Sequence, residues 1–225
     1  MSEYLKNFLA VEGKKLKEMT FKEKAAYIWE YYKIPIIAVI VVLFIAGSII
    51  DSVWIHPPKK LFLQIGFSGG YVADESMNAL NAALTEAIMT PEERETLQVT
   101  GTLFMYGSGD PQMDMANQAK FAAMIASNEI DLLVMSLEEL ESSAAQGLLL
   151  PLTDVLPESV LSSLSDRLTQ AVNDSGERAD FALKLDGCEV FAENGLIADG
   201  QCLGVIVNSI QQDHALKAIE YIFGL

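Results

Sequence analysis

The longest departure from alternating polar and apolar positions is the run Ile34–Ile50, seventeen consecutive residues without a charge. As a helix rising about 1.5 Å per residue it spans roughly 25 Å. Extended to Trp54 it reaches about 31 Å, close to the roughly 30 Å hydrocarbon core of a bilayer. Trp29, Tyr31 and Tyr32 precede the run and Trp54 follows it, positions where amphipathic rings settle at the headgroup level. The pattern predicts a transmembrane helix over residues 34–54. Ahead of it, Thr20-Phe21-Lys22-Glu23 reads as a capping box, and Phe21, Ala25, Ile28 and Tyr32 recur at helical spacing. Pro35 is expected to kink this helix where the span begins. Residues 4–18 are weakly amphipathic, which fits either a helix lying on the inner leaflet or a basic tail without fixed structure.

After the run, His56-Pro57-Pro58-Lys59-Lys60 makes residues 55–60 a short stiff spacer, because proline fixes φ and favours extended chain. Residues 61–225 then alternate two periodicities. Leu61–Phe67, Leu97–Tyr106 and Ile130–Met135 are apolar, strand-like runs. Between them, Glu75–Met89 places Met77, Leu80, Ala83, Leu84, Ala87 and Ile88 on one helical face, and Met113–Ser127 does so with Met115, Ala119, Ala122, Ala123 and Ile125. Ser136-Leu137-Glu138-Glu139 caps a third helix ending near Gly147. Beyond it, Pro157–Leu164 reads as a short helix and Leu203–Val207 as a buried strand, while Gln211–Phe223 closes the chain as a helix with Ala215, Ile219, Ile222 and Phe223 inward. Asp186-Gly187, between Ala179–Asp186 and Cys188–Phe191, is a hairpin signal. The alternation predicts an α/β domain: βαβ units on a mostly parallel sheet with helices on both faces.

Charge changes the picture when it is divided at the membrane. Residues 1–34 carry seven lysines and five glutamates, a net of +2, and the rest of the chain carries −18 of the total −16. The lysines favour an N-terminus inside and an extracytoplasmic domain by the positive-inside rule, so residues 1–33 are read as a cytoplasmic segment. So acidic a domain is not expected to bind nucleic acid, whose phosphates draw most of their affinity from basic side chains. A cleaved signal peptide would need an n-region over 30 residues long, against a total of about 15–30 for most secretory signals. An uncleaved signal anchor is therefore favoured, although Ala46-Gly47-Ser48 offers small residues for cleavage. No cysteine lies near it, so no lipoprotein anchor is expected. Cys188 and Cys202 both fall in the outer domain, where an oxidising setting permits a disulfide. Spacing alone leaves two readings open, a bridge or two buried thiols.

In sheets of this kind ligands sit beyond the carboxyl ends of the strands. Those ends supply Ser68-Gly69-Gly70-Tyr71, Tyr106-Gly107-Ser108-Gly109-Asp110 and Ser136. Glycine lets backbone approach a ligand closely, and free helix N–H groups hold anions, although βα loops also need Gly and Ser simply for turns and caps. Ser68, Gly69, Gly70, Tyr106, Ser108 and Ser136 are accordingly the candidate ligand contacts. Gly66-Phe67-Ser68-Gly69-Gly70 also satisfies G-x-S-x-G with His214 far downstream, so a serine hydrolase using Ser68 is a formal possibility. The elbow fits poorly, since three residues separate Gly70 from the helix start near Asp74. His56 and His214 are isolated, the cysteines lack zinc-finger spacing, and no EF-hand loop is present; no metal and no cofactor are expected. Glu92-Glu93-Arg94-Glu95 and Glu138-Glu139-Leu140-Glu141 read as solvated first turns of helices.

Ile130–Ser136, then Gln146-Gly147-Leu148-Leu149-Leu150-Pro151-Leu152-Thr153-Asp154, then Ala215–Ile222, together resemble segments of extracellular solute-binding proteins of transport systems. The front, Lys24–Pro35, is similar to uncharacterised signal-anchored membrane proteins of Gram-positive bacteria. The first resemblance implies a periplasmic-binding-protein-like lobe; since those proteins have two lobes, about 165 residues amount to one lobe with a remnant. It also departs from them in being carried on a membrane span. The expectation is a single-pass membrane-anchored extracytoplasmic domain that binds without catalysis, to an envelope protein or a small solute. The alternative is an accessory or sensing subunit of a transporter that binds a small solute, and an enzyme is third.

Overall fold

The computed structural model describes residues 20–52, 59–69, 72–106 and 109–225. Residues 4–18, Trp54, His56-Pro57-Pro58, Gly70-Tyr71 and Gly107-Ser108, on which several expectations fell, lie outside them. The chain divides into two units, residues 1–58 and 59–225.

The first unit contains α1 (Phe21–Ile50), which runs through Pro35 as a single helix. The Glu23 carboxylate accepts from the Thr20 N–H at 2.8 Å and from the Thr20 hydroxyl at 2.8 Å, the expected capping arrangement. The 18-residue stretch Lys33–Ile50 has a mean hydropathy of 2.6, and none of its residues is buried. By length and composition it is one helix apolar enough to cross a membrane. Apolar residues on every side of a helix call for an apolar surrounding, which water does not supply.

The second unit is an α/β domain. Its elements run β1 (Lys60–Ser68), α2 (Asp74–Ile88), α3 (Pro91–Thr96), β2 (Leu97–Phe104), α4 (Pro111–Ala126), β3 (Leu132–Ser136), α5 (Leu137–Ala145), α6 (Leu152–Val155), α7 (Glu158–Ser163), β4 (Leu168–Val172), β5 (Arg178–Lys184), α8 (Glu189–Glu193), β6 (Gln201–Val205) and α9 (Gln212–Ile222). One six-stranded sheet has the order β2-β1-β3-β6-β5-β4. β1 pairs in parallel with β2 and β3, as the βαβ pattern predicts. β3–β6, β6–β5 and β5–β4 are antiparallel, so the sheet is mixed rather than mostly parallel. The parallel half carries the strand order that creates a switch point. β2 lies on one side of β1 and β3 on the other, and the chain must cross β1 to get from one to the other.

Each face of the sheet has its own core. Leu63, Ile65 and Phe67 of β1 alternate onto one face and pack under Leu80 and Leu84 of α2 and Ala215, Ile219 and Ile222 of α9. Leu133 and Met135 of β3 point to the other face, under Leu140 and Ala144 of α5. On that second face β1 carries Gly66, where a Cβ would stand 3.0 Å from Leu133 Cδ1 and 3.3 Å from Phe104 Cε2. The space glycine leaves is filled by its neighbours.

Two expectations are corrected here. Asp186-Gly187 does not turn a tight hairpin. It leads from β5 into the short helix α8, because Cys188 and Phe191 share one helical face and bury it in the first core. Asp186 Oδ1 accepts from the Gly200 N–H at 2.7 Å, closing this connection onto β6. In α4, Met115, Ala119, Ala122 and Ala123 do not point inward: all four are exposed, Met115 by 70 %. The helix packs instead through Phe121, Met124 and Ile125, with the Phe121 ring edge-on to Phe104 at 5.0 Å, since an aromatic ring buries more apolar area than the alanine stripe. β4, an edge strand reading Leu-Thr-Gln-Ala-Val, was not anticipated from the sequence pattern.

Candidate functional site

Ser68 ends β1 and Ser136 ends β3, so the two flank the point where the strand order reverses, the place where α/β sheets open a crevice. Ser136 is the N-cap of α5. Its hydroxyl accepts from the Glu139 N–H at 3.2 Å, and Glu139 Oε2 in return accepts from the Ser136 N–H at 2.9 Å and hydroxyl at 3.0 Å. The other carboxylate oxygen, Oε1, accepts from the Ser68 hydroxyl at 2.7 Å. The capping glutamate of one helix is thus also the anchor for the end of the neighbouring strand.

Gly69 follows with φ +101°, a conformation that L side chains rarely adopt, and donates its N–H to Phe104 O at 3.1 Å, holding the β1 end to β2. Tyr106, just past β2, completes the group. Burial, and after it the charge of Glu139, pushes its hydroxyl up to about 12, so it stays protonated in neutral solution. Ser68, Tyr106, Phe121, Ile125, Glu139 and Gln146 are among the residues lining an open groove of about 490 Å³ between α4 and α5. Its size is that of small-molecule sites in general. On the opposite face of the sheet Phe67, Val72, Val134 and Leu196 line a smaller cavity of about 150 Å³.

Of the candidate contacts, Ser68, Gly69, Tyr106 and Ser136 therefore come together around Glu139, and Gly70 and Ser108 lie outside the described residues. Glu139 itself was read only as a helix cap. The capping box was its one visible signal, and nothing local points to a partner 71 positions earlier.

The nucleophile-elbow reading of Ser68 is not supported by its surroundings. His214 Nδ1 lies 2.8 Å from Phe62 O, and its ring stacks on Phe62 at 3.7 Å. Phe62 is six residues before Ser68 on the same strand, about 20 Å at roughly 3.3 Å per residue. The histidine is at the wrong end of the sheet to take the Ser68 proton.

Asp131, which precedes β3 in the stretch that resembles solute-binding proteins, sits at that far end as well. It is buried, and its two oxygens accept from the Ser209 hydroxyl at 2.7 Å and the Gln64 N–H at 2.9 Å. Its backbone pairs with Gln64 O and the Ile206 N–H. Asp131 clamps β1, β3 and the end of β6 together and has no place in the groove.

Cys188 and Cys202 are both free thiols. Cys188 lies in the first core and Cys202 in the second, on opposite faces of the sheet, so the bridged reading gives way to two buried thiols. Cys188 Sγ lies 3.3 Å from Ile222 O and Cys202 Sγ 3.4 Å from Met135 O. Among the described residues no group of three or more His, Cys, Asp or Glu side chains gathers to hold a metal ion.

No protein-family model and no curated sequence matches the chain. Solved structures, two of them solute-binding proteins, are similar in part. One is the bacterial solute receptor AcbH, described as having an exclusive preference for β-D-galactopyranose; it is 16 % identical and matches over 55 % of this chain and 28 % of its own, with a TM-score of 0.30. Another is a TRAP periplasmic solute-binding protein from Ochrobactrum anthropi, with its C-terminus bound in the ligand-binding pocket; it is 14 % identical over 48 % of this chain and 31 % of its own, with a TM-score of 0.22. The chain spans less than a third of the length of either.

Proposed function

We propose that residues 59–225 form a non-catalytic binding domain, carried outside the cell on the α1 span with the N-terminus inside, and that it holds a small solute in the groove between α4 and α5. One observation carries this reading: at three separate strand–helix junctions, Ser68 and Ser136 both donate to the Glu139 carboxylate, and Tyr106 lines with Ser68 and Glu139 a groove of about 490 Å³. Junction loops placed by a rigid sheet are where binding residues concentrate. The groove adds Phe121 and Ile125 as apolar wall, the mixture of a few polar groups on an apolar surface that small-molecule sites use.

The test uses the full chain in detergent and a filled-groove variant. Ala122 lines the groove from α4 and is exposed, so Ala122→Trp occupies the space without disturbing the core. A ligand that binds only the folded state raises its melting temperature. Solutes spanning sugars, amino acids, amines and carboxylates are screened, and at least one is expected to raise the melting temperature of the wild type and not of Ala122→Trp. A screen in which no solute does so rejects the groove as a solute site.

A further inference from the structure

The groove is one-sided in charge. Glu139 is the one ionised side chain among its lining residues, and no Lys, Arg or His is among them. Its partners are Ser68 Oγ, Ser136 N and Ser136 Oγ, all neutral donors. They satisfy hydrogen-bonding capacity without cancelling the charge, and Oε1, with one of these donors, keeps a second lone pair. The N-terminus of α5 offsets the carboxylate by about half an elementary charge at most, and the C-terminal turn of α4, where Ile125 and Ala126 line the groove, contributes the opposite sign. Lys120, the cation carried by α4, stands 5.6 Å from the Phe104 ring centroid and lines a separate cavity beside β2. Tyr106 lines the groove with Glu139, whose charge helps, after burial, to raise the Tyr106 hydroxyl.

We infer that the groove takes an organic cation, a protonated or quaternary amine on a small apolar body, with Glu139 as counter-ion and Tyr106 and Phe121 as walls. This rests on the reading of the groove as a solute site. An anion meets the carboxylate and is repelled. A neutral solute gains the apolar wall but not the charge, whereas an ammonium gains both, because the aromatic faces also attract cations.

The experiment compares benzylamine, benzyltrimethylammonium, benzyl alcohol and benzoate by calorimetric titration against the full chain in detergent, at neutral pH and low salt. Both cations are expected to bind at least tenfold more tightly than benzyl alcohol, and benzoate not at all. Glu139→Gln removes the charge and keeps the helix cap, since glutamine serves at that position; its amide oxygen replaces Oε2, and its NH2 group donates to the Ser68 hydroxyl, which turns to accept. It is expected to weaken the cations at least tenfold and leave benzyl alcohol unchanged. Failure of both cations to bind the wild type, equal affinity for cation and alcohol, or cation binding unchanged in Glu139→Gln each overturns the assignment. The underlying site is judged separately with Ala122→Trp. If that variant abolishes alcohol binding while the cation preference is missing, the groove stands and its ligand class is wrong. Binding of every probe unaltered in Ala122→Trp rejects the groove and the cation assignment together.

Discussion

The Ser68 hydroxyl donates to Glu139 Oε1 at 2.7 Å, joining the end of β1 to the first turn of α5 across 71 positions of sequence. Among the described residues the imidazole is that of His214, which is held against Phe62 toward the other end of β1, so Ser68 lacks the histidine base that a serine-hydrolase elbow places beside its nucleophile.

The first prediction follows. A fluorophosphonate probe, which reports activated serines, should leave Ser68 unmodified at neutral pH, as read by peptide mass spectrometry. Ser68→Ala should cost about 1 kcal/mol of stability, the ordinary worth of one hydrogen bond at a partly exposed site. Stoichiometric labelling of Ser68, lost in His214→Ala, would restore the hydrolase reading.

A second prediction concerns Asp131. Desolvation raises its carboxyl above the ordinary 3.8, in opposition to the hydrogen bonds from Ser209 and Gln64. A folded-state pKa raised above the unfolded one means that the native state binds the proton more tightly. The stability this contributes is complete below the unfolded value and is lost as pH rises through the folded one. Asparagine cannot accept from both the Ser209 hydroxyl and the Gln64 N–H, so Asp131→Asn should cost about 1–3 kcal/mol. Urea melts at several pH values should show the gap between wild type and variant widening toward acid. A gap that widens toward neutral pH would mean that the hydrogen bonds outweigh burial.

The two thiols offer a third. Burial pushes Cys202 up to about 12 and raises Cys188, and a thiol rather than a thiolate is inert. Iodoacetamide at pH 8 should therefore label neither in the folded protein and both in denaturant, in material never exposed to reductant. Reductant should leave the melting temperature unchanged. Protection of the pair in denaturant would demand a bridge through the sheet.

What could be read from the chain, and what could not, divides by range. The helical face Met77, Leu80 and Leu84, the strand runs of β1 and β3, and the Ser136 cap are local patterns, and each is where periodicity put it. The antiparallel half was not legible. β4 is short, alternates weakly and lies at the sheet edge, and the pairing of β6 with both β3 and β5 depends on contacts separated by up to 73 positions, as between Leu132 and Val205. α8 was mistaken for a strand because Cys188–Phe191 is too short for periodicity to separate the two. In and beside the groove, Ser68, Tyr106 and Ser136 were reachable by asking which residues end strands. Glu139 was visible only as a cap, since its second role depends on a residue from another strand.

The last prediction is the orientation of the span. α1 carries an uncharged apolar stretch whose Ile37, Val42 and Phe44 are exposed, and a helix of that kind is stable where lipid replaces water. Of its two flanks, the N-terminal one bears the seven lysines of residues 1–34, against Lys59 and Lys60 just beyond the span. Each lysine moved to the outer face would have to cross the hydrocarbon core, and retaining them inside is the lower-energy insertion. The −18 net charge of the remaining residues places no comparable restraint, because acidic residues contribute little to orientation. Protease added to intact cells should therefore degrade residues 59–225 and leave epitopes in residues 1–33 intact until the cells are opened. If lysines 6, 14, 15 and 17 are replaced by glutamine, part of the population should invert and shield the C-terminal domain. Full protection of residues 59–225 in the wild type would place the domain in the cytoplasm, and any solute it binds would then be cytoplasmic as well.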